Sequence, residues 1–188
     1  MARAHPAEGL PGFDSPQAGF EVPLEMLSAC HGRVERQCQT LLRLARHLAA
    51  QGADADARNA AAAVLRYFET SARHHHEDEE LDLFPALLRH AQDAELGQVK
   101  GLVAQLLQEH RVLEQRWHVV RDVLQDVAQG RSAQLAFSDV EALTTLYASH
   151  IAREERELLP LAARLLAGAP LERVGRAMRA RRGLAAPA

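Results

Sequence analysis

The sequence predicts an all-α protein: an antiparallel up-and-down four-helix bundle with an irregular N-terminal arm and a short C-terminal helix. Three observations predict it. Alanine and leucine are abundant and aromatic residues make up only 4%, a balance that favours helices over sheets. Four long stretches carry apolar residues at steps of three and four, the period of a single buried helix face. Short connections join these stretches, which lets each helix pack beside the one before it.

The first 22 residues are rich in proline and glycine and have no apolar period, which predicts an irregular arm over 1–22. Pro23 then opens the first helix, a position where its missing N–H costs nothing. That helix carries Leu24, Leu27, Val34, Cys38, Leu41, Ala45 and Leu48 and should end near Gly52. The second runs from about Asp54 to His90 on a stripe that includes Val64, Phe68, Ala72, Leu83 and Ala86; Pro85 should kink or break it. The third spans about Ala94 to Ala128, with Gly130 as its stop. The fourth starts near Ser138 or Asp139, either a good N-cap, and carries Val140, Leu143, Tyr147, Leu158, Leu161 and Leu165. These four form the expected bundle over 23–168. A basic segment follows over 169–188, with a short helix from Leu171 to Arg182.

A chain of 188 residues fits one domain with a real core. Its formal net charge of −3 gives no reason to expect nucleic acid or an anionic membrane as partner. No apolar run reaches about 18 residues, so no transmembrane helix is expected. The N-terminal stretch MARAHPAEGLPGF lacks the apolar core of a signal peptide. Cys30 and Cys38 fall on one helix about 12 Å apart, too far to bridge. A cytoplasmic protein with reduced thiols is the expectation.

Ten histidines are many for this length, and the apolar stripes show where they matter. The seam of the first helix runs 24, 27, 31, 34, 38, and position 31 is His31. That of the third runs 103, 106, 110, 113, 117, and position 110 is His110. Between Ala72 and Leu83 the inward positions are His75 and Glu79. Between Tyr147 and Leu158 they are His150 and Glu154. A residue and the one four later share a helix face, so His75 with Glu79 and His150 with Glu154 can converge on one point. A single histidine on an apolar face is ordinarily a satisfied core residue. Four of them beside two buried carboxylates are not, because unpaired buried carboxylates cost several kcal/mol and repel each other. A pair of divalent cations neutralises the acids and uses the imidazole lone pairs.

Other spacings compete. His76 could pair with Glu80, but that face continues to the polar Arg73 and Glu69, whereas the face of His75 continues to Phe68 and Ala72. The same test favours Glu154 over Glu155. Glu35 and Glu114 follow His31 and His110 by four at the seam's edge, as solvated or outer carboxylates; Glu114 is the better candidate for an additional ligand. His5, His47, His90 and His118 read as surface residues, and Cys38 as a small core residue.

The segments HHHEDEELDLFPAL and SHIAREERELLPLA resemble the second- and fourth-helix signatures of the hemerythrin-like, or HHE cation-binding, family. His31 in SACHGRVERQC and His110 in QEHRVLEQRW fall where that family places its first- and third-helix histidines. The resemblance covers about residues 24–167. It implies a non-haem centre of two iron ions with an oxo or hydroxo bridge. Glu79 and Glu154 would bridge the irons, and His31, His75, His110 and His150 would be terminal ligands. Classical oxygen-carrying members have a second third-helix histidine where this chain has Glu114, and a fourth-helix aspartate one residue beyond Glu154. Those departures point away from simple oxygen carriage and towards bacterial members that handle iron, nitric oxide or peroxide. The iron-centre repair proteins carry an extra cysteine-bearing N-terminal domain, for which 188 residues leave no room.

The leading expectation is therefore a protein that binds or senses dioxygen, nitric oxide or peroxide. A detoxifying or repair enzyme, with Tyr147 and Glu114 as proton donors, is the second reading. An iron store or donor, or a metal-stapled bundle, is the third. A redox partner is left open. The basic C-terminal arginines read as a solvated tail, with docking of a partner as the alternative.

Overall fold

The computed structural model describes residues 19–131 and 134–184, without the side chains at 93 and 94. The greater part of the arm expected over 1–22, His5 included, lies outside the described residues. Among the described residues every regular element is helical.

Helix α1 is Pro23–Gln51, with proline in its first turn. It ends at Gly52, whose φ of 77° closes the helix as the Gly52 N–H reaches the Leu48 carbonyl at 3.0 Å. Helix α2 covers residues 55–90. Asp54 caps it, its Oδ1 accepting the Ala57 N–H at 2.8 Å. The backbone stays helical through Pro85, and the local break expected there takes the form of a π turn just before it. The rod runs through Ala55–Tyr67, a π turn at Phe68–Ala72, Arg73–Asp78, a second π turn at Glu79–Leu83, and Phe84–His90. The physical reason lies in the second π turn. There the Phe84 N–H bonds the Glu79 carbonyl five residues back, and Pro85 follows with no N–H to place.

Helix α3 is Asp93–Ala128. Helix α4 covers residues 137–165: Phe137–Arg153, a π turn at Glu154–Leu158, and Leu159–Leu165. Its N-cap is Ala136 rather than the expected Ser138 or Asp139. The amides of Asp139 and Val140 bond the Ala136 carbonyl, and Asp139 sits in the first turn, where its charge complements the helix dipole. Helix α5 is Ala169–Arg181.

The four long helices form a bundle in which α1 and α3 each pack against both α2 and α4, while α5 lies across α1 and the second half of α2. Every long helix contributes to two apolar clusters. One holds Val34, Phe68, Leu113, Trp117 and Tyr147; the other holds Leu27, Leu83, Phe84, Leu106 and Leu158. Leu27, Leu83, Leu106 and Leu158 are fully buried, each contributing about 2 kcal/mol by removal from water. Along each helix the buried polar residues fall between these clusters.

The basic C-terminal segment is not a solvated tail. Val174 and Met178 are buried against the second cluster. Arg181 and Arg182 both hydrogen-bond Asp78, which is fully buried, and Arg181 also donates to Asp82 Oδ2 at 2.6 Å. Arg179 donates to Glu21 at 2.6 Å and lies 5.1 Å over the Phe20 ring. The Phe20 carbonyl comes so close to Gly175 that a Cβ there would collide with the oxygen. The arginines fold back because an acid buried in α2 needs them, and because the other face of α5 is apolar. No helix of the described residues is long and apolar enough to cross a membrane.

Candidate metal centre

The layer between the two clusters contains His31, His75, His110, His150, Glu79 and Glu154, each at most 2% exposed. On α1, His31 lies between Leu27 and Val34. On α3, His110 lies between Leu106 and Leu113. The helical period that carries these leucines inward carries the imidazoles inward too. On α2 and α4, the four-residue step stacks each histidine over its glutamate.

The six side chains converge. His31 Nε2 is 3.0 Å from Glu154 Oε2, and His150 Nε2 is 3.0 Å from Glu154 Oε1. His110 Nε2 is 3.4 Å from Glu79 Oε2 and 3.8 Å from Glu154 Oε1, and His75 Nε2 is 3.7 Å from Glu79 Oε1. The Nε2 atoms of His110 and His150 face each other at 3.2 Å. Two four-residue groups result: His31, His75, Glu79 and Glu154, and Glu79, His110, His150 and Glu154. In each group one ligand atom per residue lies within 4.8 Å of all the others. Both carboxylates belong to both groups.

Three of the four histidines have their outer nitrogen engaged by a carboxylate. His31 Nδ1 meets Glu155 at 2.6 Å, His110 Nδ1 meets Glu80 at 2.8 Å, and His150 Nδ1 meets Glu109 at 2.9 Å. Arg111 and Arg153 hold Glu80 and Glu109 in turn. A carboxylate on Nδ1 makes that nitrogen the donor, so that the imidazole, once neutral, presents its Nε2 lone pair inward, which is how outer groups prepare imidazoles for metal. Sequence reasoning considered Glu80 and Glu155 only as rival ligands and missed Glu109. The available signal was an acid directly after each inward glutamate and directly before His110.

Burial and the charge of Glu154 push the Glu79 carboxyl up to about 7. Burial would also raise Glu154, but His110, His150 and His31 pull it well below the carboxylate range. Burial works against charge on His31 and His110, yet Glu154 and its acidic neighbours raise them to about 9 and about 11. His75 stays neutral, lowered by burial and by His31. In this protonated form, the ring nitrogens His31 Nε2 and His75 Nδ1 and all four oxygens of Glu79 and Glu154 lack an aligned hydrogen-bond partner. Buried polar atoms are ordinarily paired. Cations bound between the carboxylates would satisfy the inward-facing ones, so the donor set fits a pair of metal ions.

Glu35 and Glu114 do not join the cluster. Leu113 holds the seam, so Glu114 turns outward, 54% exposed at its side chain and paired with Arg111; this corrects its place as the better extra ligand. His47 pairs with Asp54 at 2.9 Å, His90 bonds the Ala86 carbonyl at 2.8 Å, and His118 is exposed. Cys38 is buried in the apolar core.

His76, set aside in favour of His75, lies beside the centre. Its ring stacks on that of His110 at 4.0 Å and 13°. It also lines a cleft of about 750 Å³ between α2 and α3, whose inner wall includes His110, Phe68 and Tyr147. Tyr147 is buried, and burial pushes its hydroxyl far above the ordinary tyrosine range, so it is a poor proton donor.

Comparison with known proteins bears on the family of the chain. Residues 22–162 match the model of the hemerythrin HHE cation binding domain. A Haemophilus influenzae protein of uncharacterised function is 32% identical over 165 residues, covering 88% of this chain and 92% of the relative.

Proposed function

The chain belongs to the hemerythrin HHE cation-binding family, and on that premise we propose that it is a non-haem di-iron protein that binds or senses dioxygen, nitric oxide or peroxide. One observation carries the reading: Glu79 and Glu154 are each shared by two groups of metal-ligand atoms in a dry layer. In this reading both would hold the two ions, His31 and His75 would complete one position, and His110 and His150 would complete the other. The helical domain spans 23–168 and is up-and-down. The order in which the helices cross the two apolar clusters supports this: α1 and α3 meet the Leu27 cluster first, and α2 and α4 meet the Phe68 cluster first.

Histidine and carboxylate ligands accept iron, zinc and manganese alike, so the choice of iron rests on the family. Bound iron would supply a redox-active position for a small ligand. The chain's own residues do the rest. Leu27, Leu83, Leu106 and Leu158 keep bulk water out, Glu80, Glu109 and Glu155 orient the imidazoles, and the cleft beside His110 supports access from solvent.

Metal analysis of freshly purified protein should find about two iron ions per chain. Absorption spectra of the anaerobically reduced protein should change on adding oxygen or nitric oxide, and His75→Ala should abolish the change. A spectrum reversed by degassing indicates carriage; sustained peroxide consumption above that of free iron moves the protein to the enzymes. Iron-free protein, or a loaded centre indifferent to all three ligands, sinks the reading.

A further inference from the structure

The helix α2 signature carries one imidazole more than its counterpart in α4, and that imidazole is not on the surface. His76 follows His75 directly. At the same place in the α4 signature stands Ile151, buried with the aliphatic core. The ring of His76 lies 4.0 Å from His110 and 5.9 Å, edge on, from His150. One nitrogen from each of His76, His110 and His150 lies within 4.8 Å of the other two.

Glu80 takes the Nδ1 of His110 and Glu109 takes that of His150, so their Nε2 atoms face each other at 3.2 Å, with a His76 nitrogen close to both rings. His76 does not share the tight four-residue group with Glu79 and Glu154. It borders the site from the cleft that it lines.

We propose that His76 is a further protein ligand to the metal position of His110 and His150, so that the two positions of the pair are unequal. The inference rests on the two-metal reading above. The His110 position then has three histidines and two carboxylates. The His31 position would draw on two histidines and the same two carboxylates. The nearly parallel rings of His76 and His110 require one of them to turn about its Cβ–Cγ bond on metal binding.

The full chain should be loaded with ⁵⁷Fe, reduced, and compared with His76→Ala and His76→Phe by iron count and Mössbauer spectroscopy, with circular dichroism to confirm folding. The phenylalanine variant retains a ring for the stack on His110 but offers no nitrogen. The wild type should hold two ions with two unequal doublets. Both variants should lose the doublet of the His110 position or fall to about one ion per chain. Exogenous imidazole, entering through the cleft, should restore the doublet and the iron in His76→Ala. A folded His76→Phe with two ions and the wild-type spectrum overturns this inference alone. Fewer than two ions in the wild type overturns the two-metal reading, and this inference with it.

Discussion

Residues 75–85 of α2, HHEDEELDLFP, and residues 150–160 of α4, HIAREERELLP, are two versions of one segment. Both place a histidine one turn before an inward glutamate and begin a π turn at that glutamate, at Glu79–Leu83 and Glu154–Leu158, with a proline two residues beyond. In both, the next glutamate leaves its own helix to engage a histidine elsewhere: Glu80 binds His110 of α3, and Glu155 binds His31 of α1.

The differences follow what packs outside. Asp78 lies under α5 and takes Arg181 and Arg182, whereas the matching Arg153 lies beside α3 and takes Glu109. Glu109 also holds His150 Nδ1. The residue before His31 is Cys30 where the residue before His110 is Glu109, and His75 Nδ1 has no hydrogen-bond partner. The comparison teaches that local helix geometry repeats the centre's inner half, while neighbouring elements set its outer half separately for each copy.

The sharpest break in the near-symmetry is the charge on the two shared glutamates. On the two-metal reading, either Glu79→Gln or Glu154→Gln should remove both ions, read as metal per chain after gel filtration. In the metal-free protein the two should part. Glu154→Gln leaves the protonated His31 and His110 without their main counter-charge and should cost about 3 kcal/mol in urea unfolding. Glu79→Gln, at a carboxyl already raised to about 7, should cost less than about 1 kcal/mol near neutral pH. Equal losses would show that the charge is shared evenly.

Asp78→Asn tests the half of the comparison that belongs to α5. It should cost about 2 kcal/mol and speed proteolysis after Arg179, since it removes the charge that anchors α5. An unchanged unfolding curve would mean that Val174 and Met178 hold the helix unaided. Glu80→Gln and Glu155→Gln should each weaken metal binding about 10-fold to 100-fold by chelator competition, with little loss of fold. A large effect from only one of them would show that the copies are unequal in their outer layer too.

The smallest effect concerns protons. His31, raised to about 9, and Glu79, raised to about 7, hold protons at neutral pH that metal must displace. Loading should therefore acidify an unbuffered solution, and apparent affinity should rise from pH 6 to pH 9. The raised His31 stabilises the metal-free fold fully below its unfolded pKa of about 6.5, and that contribution fades as pH rises through about 9. The metal-free protein should accordingly unfold more easily at pH 9 than at pH 7, and the loaded protein should not.

The chain's periodicity by itself determined the long helices, their ends at Gly52 and near Ala128, and the inward aim of His31, His75, His110, His150, Glu79 and Glu154. Those features are local: a step of three or four residues decides which face a side chain occupies. Tertiary structure alone decided that Glu80, Glu109 and Glu155 hold the imidazoles, that Arg181 and Arg182 answer Asp78, and that His76 stands over His110. These partners lie on different helices and share no period along the chain. The form of the break at Pro85, a π turn inside a continuing helix, also escaped a local reading, because a π turn places the backbone's extra residue where the neighbouring helices and the site between them accept it.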